Sequence, residues 1–194
     1  MTALAWSLLL LTALLQASQR PSTDPFASAS AAELSTYRAV LETSKGKITF
    51  EFLPAKAPAT FRSFLRLAAA EVYDNTLVHR VVPNVLIQTG APLFRQLPLS
   101  GPQRRLIHDL PPEFNDTKNT PGVVSMARGD DPGSAQTSFF ICTGSCKEFD
   151  GKYTAFARVV AGMAVVRAIA AVPVNGERPK EKVIVIRVTV EKKR

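Results

Sequence analysis

Lys47-Ile48-Thr49-Phe50-Glu51-Phe52 alternates apolar and polar residues without a break. A period of two sends Ile48, Phe50 and Phe52 to one side and Thr49 and Glu51 to the other, the pattern of a strand with one buried face. Val40-Leu41-Glu42 lies just upstream, and Ser44-Lys45-Gly46 supplies a glycine-containing turn, so the pair is predicted as a β-hairpin. Downstream the period changes. Phe61, Phe64, Leu65 and Ala68 stand at i, i+3, i+4 and i+7, one face of a helix over 58–70 with Pro58 in its opening turn.

Short β-prone runs follow at 77–82, 85–88, 123–127, 138–142 and 154–160, separated by Pro, Gly, Asn and Asp. Met163, Val166 and Ile169 mark a second helix over 162–171, and the mostly β-branched run 183–190 makes a closing strand. Many short strands with two helices far apart in sequence predict a mainly β fold. A closed or nearly closed antiparallel barrel is favoured because closure removes edges that would aggregate, although periodicity alone does not separate a barrel from a sandwich.

The chain has 194 residues, 46% apolar and 21% charged, which excludes a disordered tail and a many-spanning membrane protein. One domain is expected. Twenty-four basic residues against 16 acidic give a net charge of +8, attractive to phosphates, anionic lipids or acidic proteins. No RNA-binding motif or aromatic stacking array accompanies that charge, so no nucleic-acid partner is expected. Cys142 and Cys146 are the only cysteines and His79 and His108 the only histidines, so a zinc site would need all four to converge from three regions. The C-x-x-x-C spacing also fails the thiol-oxidoreductase pattern. Two readings of the pair remain: one disulfide, or a buried Cys142 beside an exposed Cys146.

Residues 3–17 form an uncharged, leucine-rich run, ended by Ser18-Gln19-Arg20-Pro21. The run is short for a bilayer span but suits the hydrophobic region of a secretory signal, despite lacking a basic start. Residues 1–17 are therefore expected to be a signal peptide or an N-terminal anchor, with the domain exported to the periplasm or the medium. Residues 18–36, rich in Ser, Ala and Pro, read as a flexible linker, and 37–194 as the folded domain.

Four stretches carry a family resemblance: His79-Arg80-Val81-Val82-Pro83-Asn84-Val85-Leu86-Ile87-Gln88, Gly122-Val123-Val124-Ser125-Met126-Ala127-Arg128, Ser138-Phe139-Phe140-Ile141-Cys142-Thr143 and Phe149-Asp150-Gly151-Lys152-Tyr153-Thr154-Ala155-Phe156. In this order and spacing they resemble the cyclophilin peptidyl-prolyl cis-trans isomerases over about 37–190. The resemblance implies a closed eight-stranded antiparallel barrel capped by two α-helices, with a shallow outer groove for an extended proline-containing peptide. It further implies a monomer acting on unfolded or folding proteins, with no metal, cofactor or membrane contact beyond the N-terminal segment.

The chemistry asks for a particular kind of site. An X-Pro bond resists rotation because the nitrogen lone pair is shared with the carbonyl, a barrier of about 18–20 kcal/mol. No covalent bond is broken, so only groups that favour the twisted amide over both planar forms are needed. Arg80 matches the family's catalytic arginine, a permanently charged fork of donors suited to the imide nitrogen. Gln88 matches the glutamine that holds a substrate carbonyl. Val85, Leu86, Phe140 and Phe149 match the proline pocket, and His79 the histidine beside the arginine. Ala127 and Arg128 match the wall on the peptide's N-terminal side, and Tyr153 the far rim. Plainer readings compete: Arg80 paired with Glu71 or Asp74 on a strand surface, Val85 and Leu86 as barrel core, His79 as a buried, satisfied histidine. A proline-peptide-binding module or holdase with little turnover is the competing function.

The sequence departs from the family at several places. Val85 stands where phenylalanine is usual, and Ser138 where glutamine precedes the Phe-Phe pair, with Gln136 as a candidate stand-in. Glu148 stands where drug-sensitive members carry tryptophan, so poor inhibition by cyclosporin is expected. Thr89-Gly90-Ala91 replaces the common Gly-Gly-Asp turn. Residues 93–112, with four prolines and Arg104-Arg105, read as surface variation or a partner-specific loop.

Overall fold

The structure, a computed structural model, describes Phe26 and residues 29–193, so the leader expected at 1–17 lies outside the described residues. The opening hairpin follows its alternation: β1 (Tyr37–Thr43) and β2 (Gly46–Phe52) pair antiparallel with Leu41 opposite Ile48, and Ile48, Phe50 and Phe52 are buried. Helix α2 (Pro58–Ala69), preceded by the one-turn α1 (Ala31–Leu34), buries Phe61, Phe64, Leu65 and Ala68 as its spacing requires. It has no side-chain cap of its own. Glu113 supplies one from a distant loop, its two carboxylate oxygens accepting from the Ala59 and Thr60 backbone N–H groups at 2.8 Å each.

The predicted run 77–82 divides into β3 (Thr76–Leu77) and β4 (Arg80–Val82), followed by β5 (Leu86–Thr89), α3 (Gly101–Arg105), β6 (Val123–Met126), β7 (Phe139–Cys142) and β8 (Ala155–Ala161). Then come α4 (Met163–Ala170), a small hairpin of β9 (Val174–Asn175) and β10 (Arg178–Pro179), and β11 (Ile184–Lys192). Gly162 opens α4 at φ +90°, where a Cβ would strike the Lys47 carbonyl, so glycine is needed there.

The expected closed barrel of eight strands and two helices is not what forms. The sheet is an open half-barrel of nine strands, ordered β3-β11-β1-β2-β8-β6-β7-β5-β4, and the described residues include four α-helices. The two edge strands β3 and β4 are consecutive in the chain, separated only by Val78 and His79. Those residues bond elsewhere, Val78 N–H to the Val183 carbonyl and His79 N–H to that of Gln88. The margins are thus joined end to end by the chain instead of side by side by a ladder.

Inside the sheet lies an aromatic core: Phe64 meets Phe50 at 5.4 Å, Tyr73 at 4.7 Å and Phe139 at 5.6 Å between ring centroids. Such pairs add about 0.5–1.5 kcal/mol each beyond the area they bury. A second, smaller cluster of Leu86, Phe140, Cys142 and Cys146 sits on the sheet's outer face.

Two segments are more structured than the sequence suggests. The described part of 18–36 packs onto the domain instead of standing off as a tether: Phe26 and Leu34 are buried, and Arg62 donates to the Phe26 and Ala29 carbonyls at 2.8 and 3.1 Å. In 93–112, Leu99 and Leu110 are buried and Ser100 and Gln103 form a capping box at α3. Arg95 there donates to the carbonyls of Glu71, Asp74, Leu97 and Pro98. No helix among the described residues is long and apolar enough to cross a membrane.

Candidate active site

The pleat decides which side chains meet. Val81, Ile87, Phe139 and Ile141 face the main core, which turns their neighbours Arg80, Val82, Leu86, Gln88, Phe140 and Cys142 outward. Register then lines them up: Ser125 lies opposite Phe140, Phe140 opposite Gln88, and Gln88 opposite Arg80, one row across β6, β7, β5 and β4. With strands about 4.8 Å apart, Arg80 stands about 10 Å from Phe140 along that row, close to the span of three extended residues.

Phe140 forms the floor. Its ring meets Phe149 at 5.3 Å and Tyr153 at 5.7 Å, both edge-on, and Phe149 meets Tyr153 at 5.0 Å. Leu86 and Phe140 are buried beneath this surface, while Val82, Val85, Ala127, Phe149 and Tyr153 are partly open around it. Leu86 and Val85 therefore belong to the outer cluster and not to the barrel core. Phe149 rides on a 3-10 turn, Lys147–Phe149, tied to β6 through Asp150: its carboxylate accepts from the Asn119 N–H at 2.7 Å, and the Asn119 side chain accepts from Ser125 Oγ at 2.7 Å. The Asn119 hydrogen bond holds the Asp150 carboxyl below the usual carboxylate range.

Arg80 is held on two sides. Its Nε and Nη2 donate to the Glu177 carboxylate at 2.6 and 3.1 Å, and its Nη1 to Gln88 Oε1 at 3.3 Å. Glu71 and Asp74, the partners weighed from the sequence, do not take this role. The hydrogen bonds with Glu177 raise the guanidinium pKa further and hold the Glu177 carboxyl below its ordinary range. Gln88 Nε2 donates to Ser138 Oγ at 3.2 Å, so the serine at this departure orients the glutamine directly. Gln136 does not stand in; its amide bonds Asp109 at 2.8 Å.

Arg128 and Tyr153 meet at the rim, the guanidinium 4.7 Å from the ring centroid. The donors of Arg128 bind the carbonyls of Gly129, Asp130 and Lys152, which fixes it as a wall. Gln88, Ala127, Arg128 and Ser138 border an adjoining cavity of about 250 Å³.

His79 is not brought to this groove. Its imidazole stacks on Phe94 at 4.4 Å beside β10, and burial, with a lesser push from Arg80, lowers its pKa. The chain leaves the sheet at Val78 and His79, so His79 is not held in the strand row that carries Arg80. The cysteines are free and both buried, which corrects the expectation of an exposed Cys146: the chain folds back so that its Sγ donates to the Val85 carbonyl at 3.1 Å. The hydrogen bond with Cys146, then burial, pushes the Cys142 thiol far up. Glu177 escaped the sequence reading, although Asn175-Gly176 just before it is a strong hairpin-turn signal.

An aromatic-floored groove thus lies on the outside of the sheet, flanked by a fixed guanidinium and an amide. Residues 38–190 match the family described as cyclophilin type peptidyl-prolyl cis-trans isomerase/CLD, and the chain belongs to that family. Peptidyl-prolyl cis-trans isomerase-like 1 of Aspergillus oryzae is 36% identical over 152 residues, covering 77% of this chain and 92% of the fungal protein. Peptidyl-prolyl cis-trans isomerase B of Streptomyces anulatus is 34% identical over 172 residues, covering 79% and 95%. The fold is also that of a Cryptosporidium parvum cyclophilin type isomerase crystallised in the presence of the dipeptide Ala-Pro. That match has a TM-score of 0.70 and 23% identity, covering 80% of this chain and 99% of the other. The protein is accordingly a peptidyl-prolyl cis-trans isomerase, an enzyme of the cyclophilin type.

Proposed function

We propose that the enzyme rotates X-Pro bonds of folding proteins in the groove over Phe140. The proline ring seats among Val85, Leu86, Phe140 and Phe149. Gln88 holds a backbone carbonyl, and Arg80 donates to the imide nitrogen as the bond twists. That donation localises the lone pair and weakens the conjugation that makes the planar forms stable. Arg80, Gln88 and Phe140 in one cross-strand row are the observation that carries this reading. The Ala-Pro dipeptide used with the Cryptosporidium protein supports a proline-containing ligand.

A charge-assisted hydrogen bond contributes about 1.5–3 kcal/mol, or about one to two decades in rate, and the remaining acceleration comes from positioning and exclusion of water. Arg80→Ala is expected to lower the isomerisation rate of a short Ala-Pro peptide, followed by exchange NMR, by about tenfold or more. A variant as fast as wild type would overturn the mechanism. If such a variant also kept full peptide affinity, the groove would be a binding module.

The leucine-rich residues 3–17 support an exported enzyme, cleaved or anchored, working in the periplasm or outside the cell. The mass of the exported protein distinguishes a cut leader from a retained one, and a full-length cytoplasmic product would overturn export.

A further inference from the structure

We infer that Glu177 is a positioning residue for Arg80, supplied from outside the nine-stranded sheet by the β9–β10 hairpin; the inference rests on the role assigned to Arg80 above. Three contacts hold the hairpin tip to the catalytic margin. The Glu177 carboxylate takes Nε and Nη2 of Arg80 at 2.6 and 3.1 Å, and the Glu177 backbone carbonyl accepts from the Val81 N–H at 2.7 Å. Among the described residues β4 has a ladder partner only in β5, so this backbone contact secures its other edge.

Counting donors shows what the arrangement does. A guanidinium has five N–H groups. Glu177 occupies the Nε edge and Gln88 one N–H of Nη1, which leaves one N–H on Nη1 and one on Nη2. A side chain with several rotatable bonds is thereby fixed as a plane with two of its donors uncommitted, and little rotamer freedom is lost when the twisted imide arrives. The opposite arrangement, an inhibitory clamp, would cover those two donors.

Measuring kcat and KM by exchange NMR on an Ala-Pro peptide separates the outcomes. Glu177→Ala is expected to lower kcat about tenfold while KM stays within about twofold, and Glu177→Gln, which keeps one acceptor and the same length, to fall between. In an Arg80→Ala background the same substitution should cause no further loss, because the group that it positions is gone. Unchanged or raised kcat in Glu177→Ala would overturn the inference, as would an equal loss in the Arg80→Ala background, which would mark a structural role for the hairpin. Should Glu177→Ala fail to fold, Glu177→Gln and its double variant carry the same comparison. An Arg80→Ala enzyme as fast as wild type would instead sink the reading of Arg80 itself, and this inference with it.

Discussion

Arg80→Lys keeps the charge and removes the fork, and so separates two explanations of catalysis that Arg80→Ala merges. The guanidinium uses Nε and Nη2 for Glu177 and Nη1 for Gln88 while two donors remain. An ammonium has three donors on one atom, arranged tetrahedrally. Once drawn to the Glu177 carboxylate, it cannot also reach Gln88 and an imide nitrogen several ångströms away. The lost interaction is one charge-assisted hydrogen bond, about 1.5–3 kcal/mol. Arg80 has 39% of its side chain exposed, and solvent screening places the cost at the lower end, about tenfold in kcat. Exchange NMR on an Ala-Pro peptide reads kcat, and peptide titration checks that the proline pocket still binds. Wild-type kcat in Arg80→Lys would refute the geometric argument, since a point charge would then suffice.

Three other outcomes are expected. Glu148 is exposed on the 3-10 turn beside Phe149, so wild-type enzyme should be poorly inhibited by cyclosporin and Glu148→Trp should tighten binding by about tenfold, the worth of one indole hydrogen bond; equal inhibition of the two proteins would count against the groove assignment. Gly144→Ala places a Cβ against the Asn84 carbonyl, so overpacking of about 1–3 kcal/mol should lower the Tm by about 3–10 °C, and an unchanged Tm would show that the 143–146 loop is not packed as described. Burial depresses the His79 pKa in the folded protein, so the unfolded chain binds the proton first and stability falls as pH drops from about 7.5 through the unfolded value near 6.5; His79→Phe should flatten that part of the Tm–pH curve, and identical curves would refute the assignment.

Alternation was enough to read most of the sheet. Ile48, Phe50 and Phe52 sit in the core because every second residue must, and the same rule sends Arg80, Gln88 and Phe140 outward together. Closure was not legible, because a period of two names a face and says nothing of whether the first and last strands meet. The split at Val78 and His79 depends on bonds to Val183 and Gln88, over one hundred residues and nine residues away, that no local pattern contains. His79 was drawn into the groove by adjacency to Arg80 along the chain, but it lies between β3 and β4, outside the strand that carries Arg80. Glu177 lay hidden for the reverse reason: it is remote from Arg80 in sequence, and only the Asn175-Gly176 turn hints that the chain doubles back there. Phe26 shows no periodic context, so its burial against Tyr37 follows from the fold alone.

The sheet keeps two apolar assemblies on opposite sides, with Phe139 and Ile141 serving one and Phe140 and Cys142 the other. Val85, Ser138 and Glu148, three of the positions where the sequence departs from the residues usual in the family, all lie on the thin outer layer or its border. Such a partition gives the lineage room to experiment: ligand preference can drift by exchanging residues on the skin while the inner aromatic assembly goes on guaranteeing the shape.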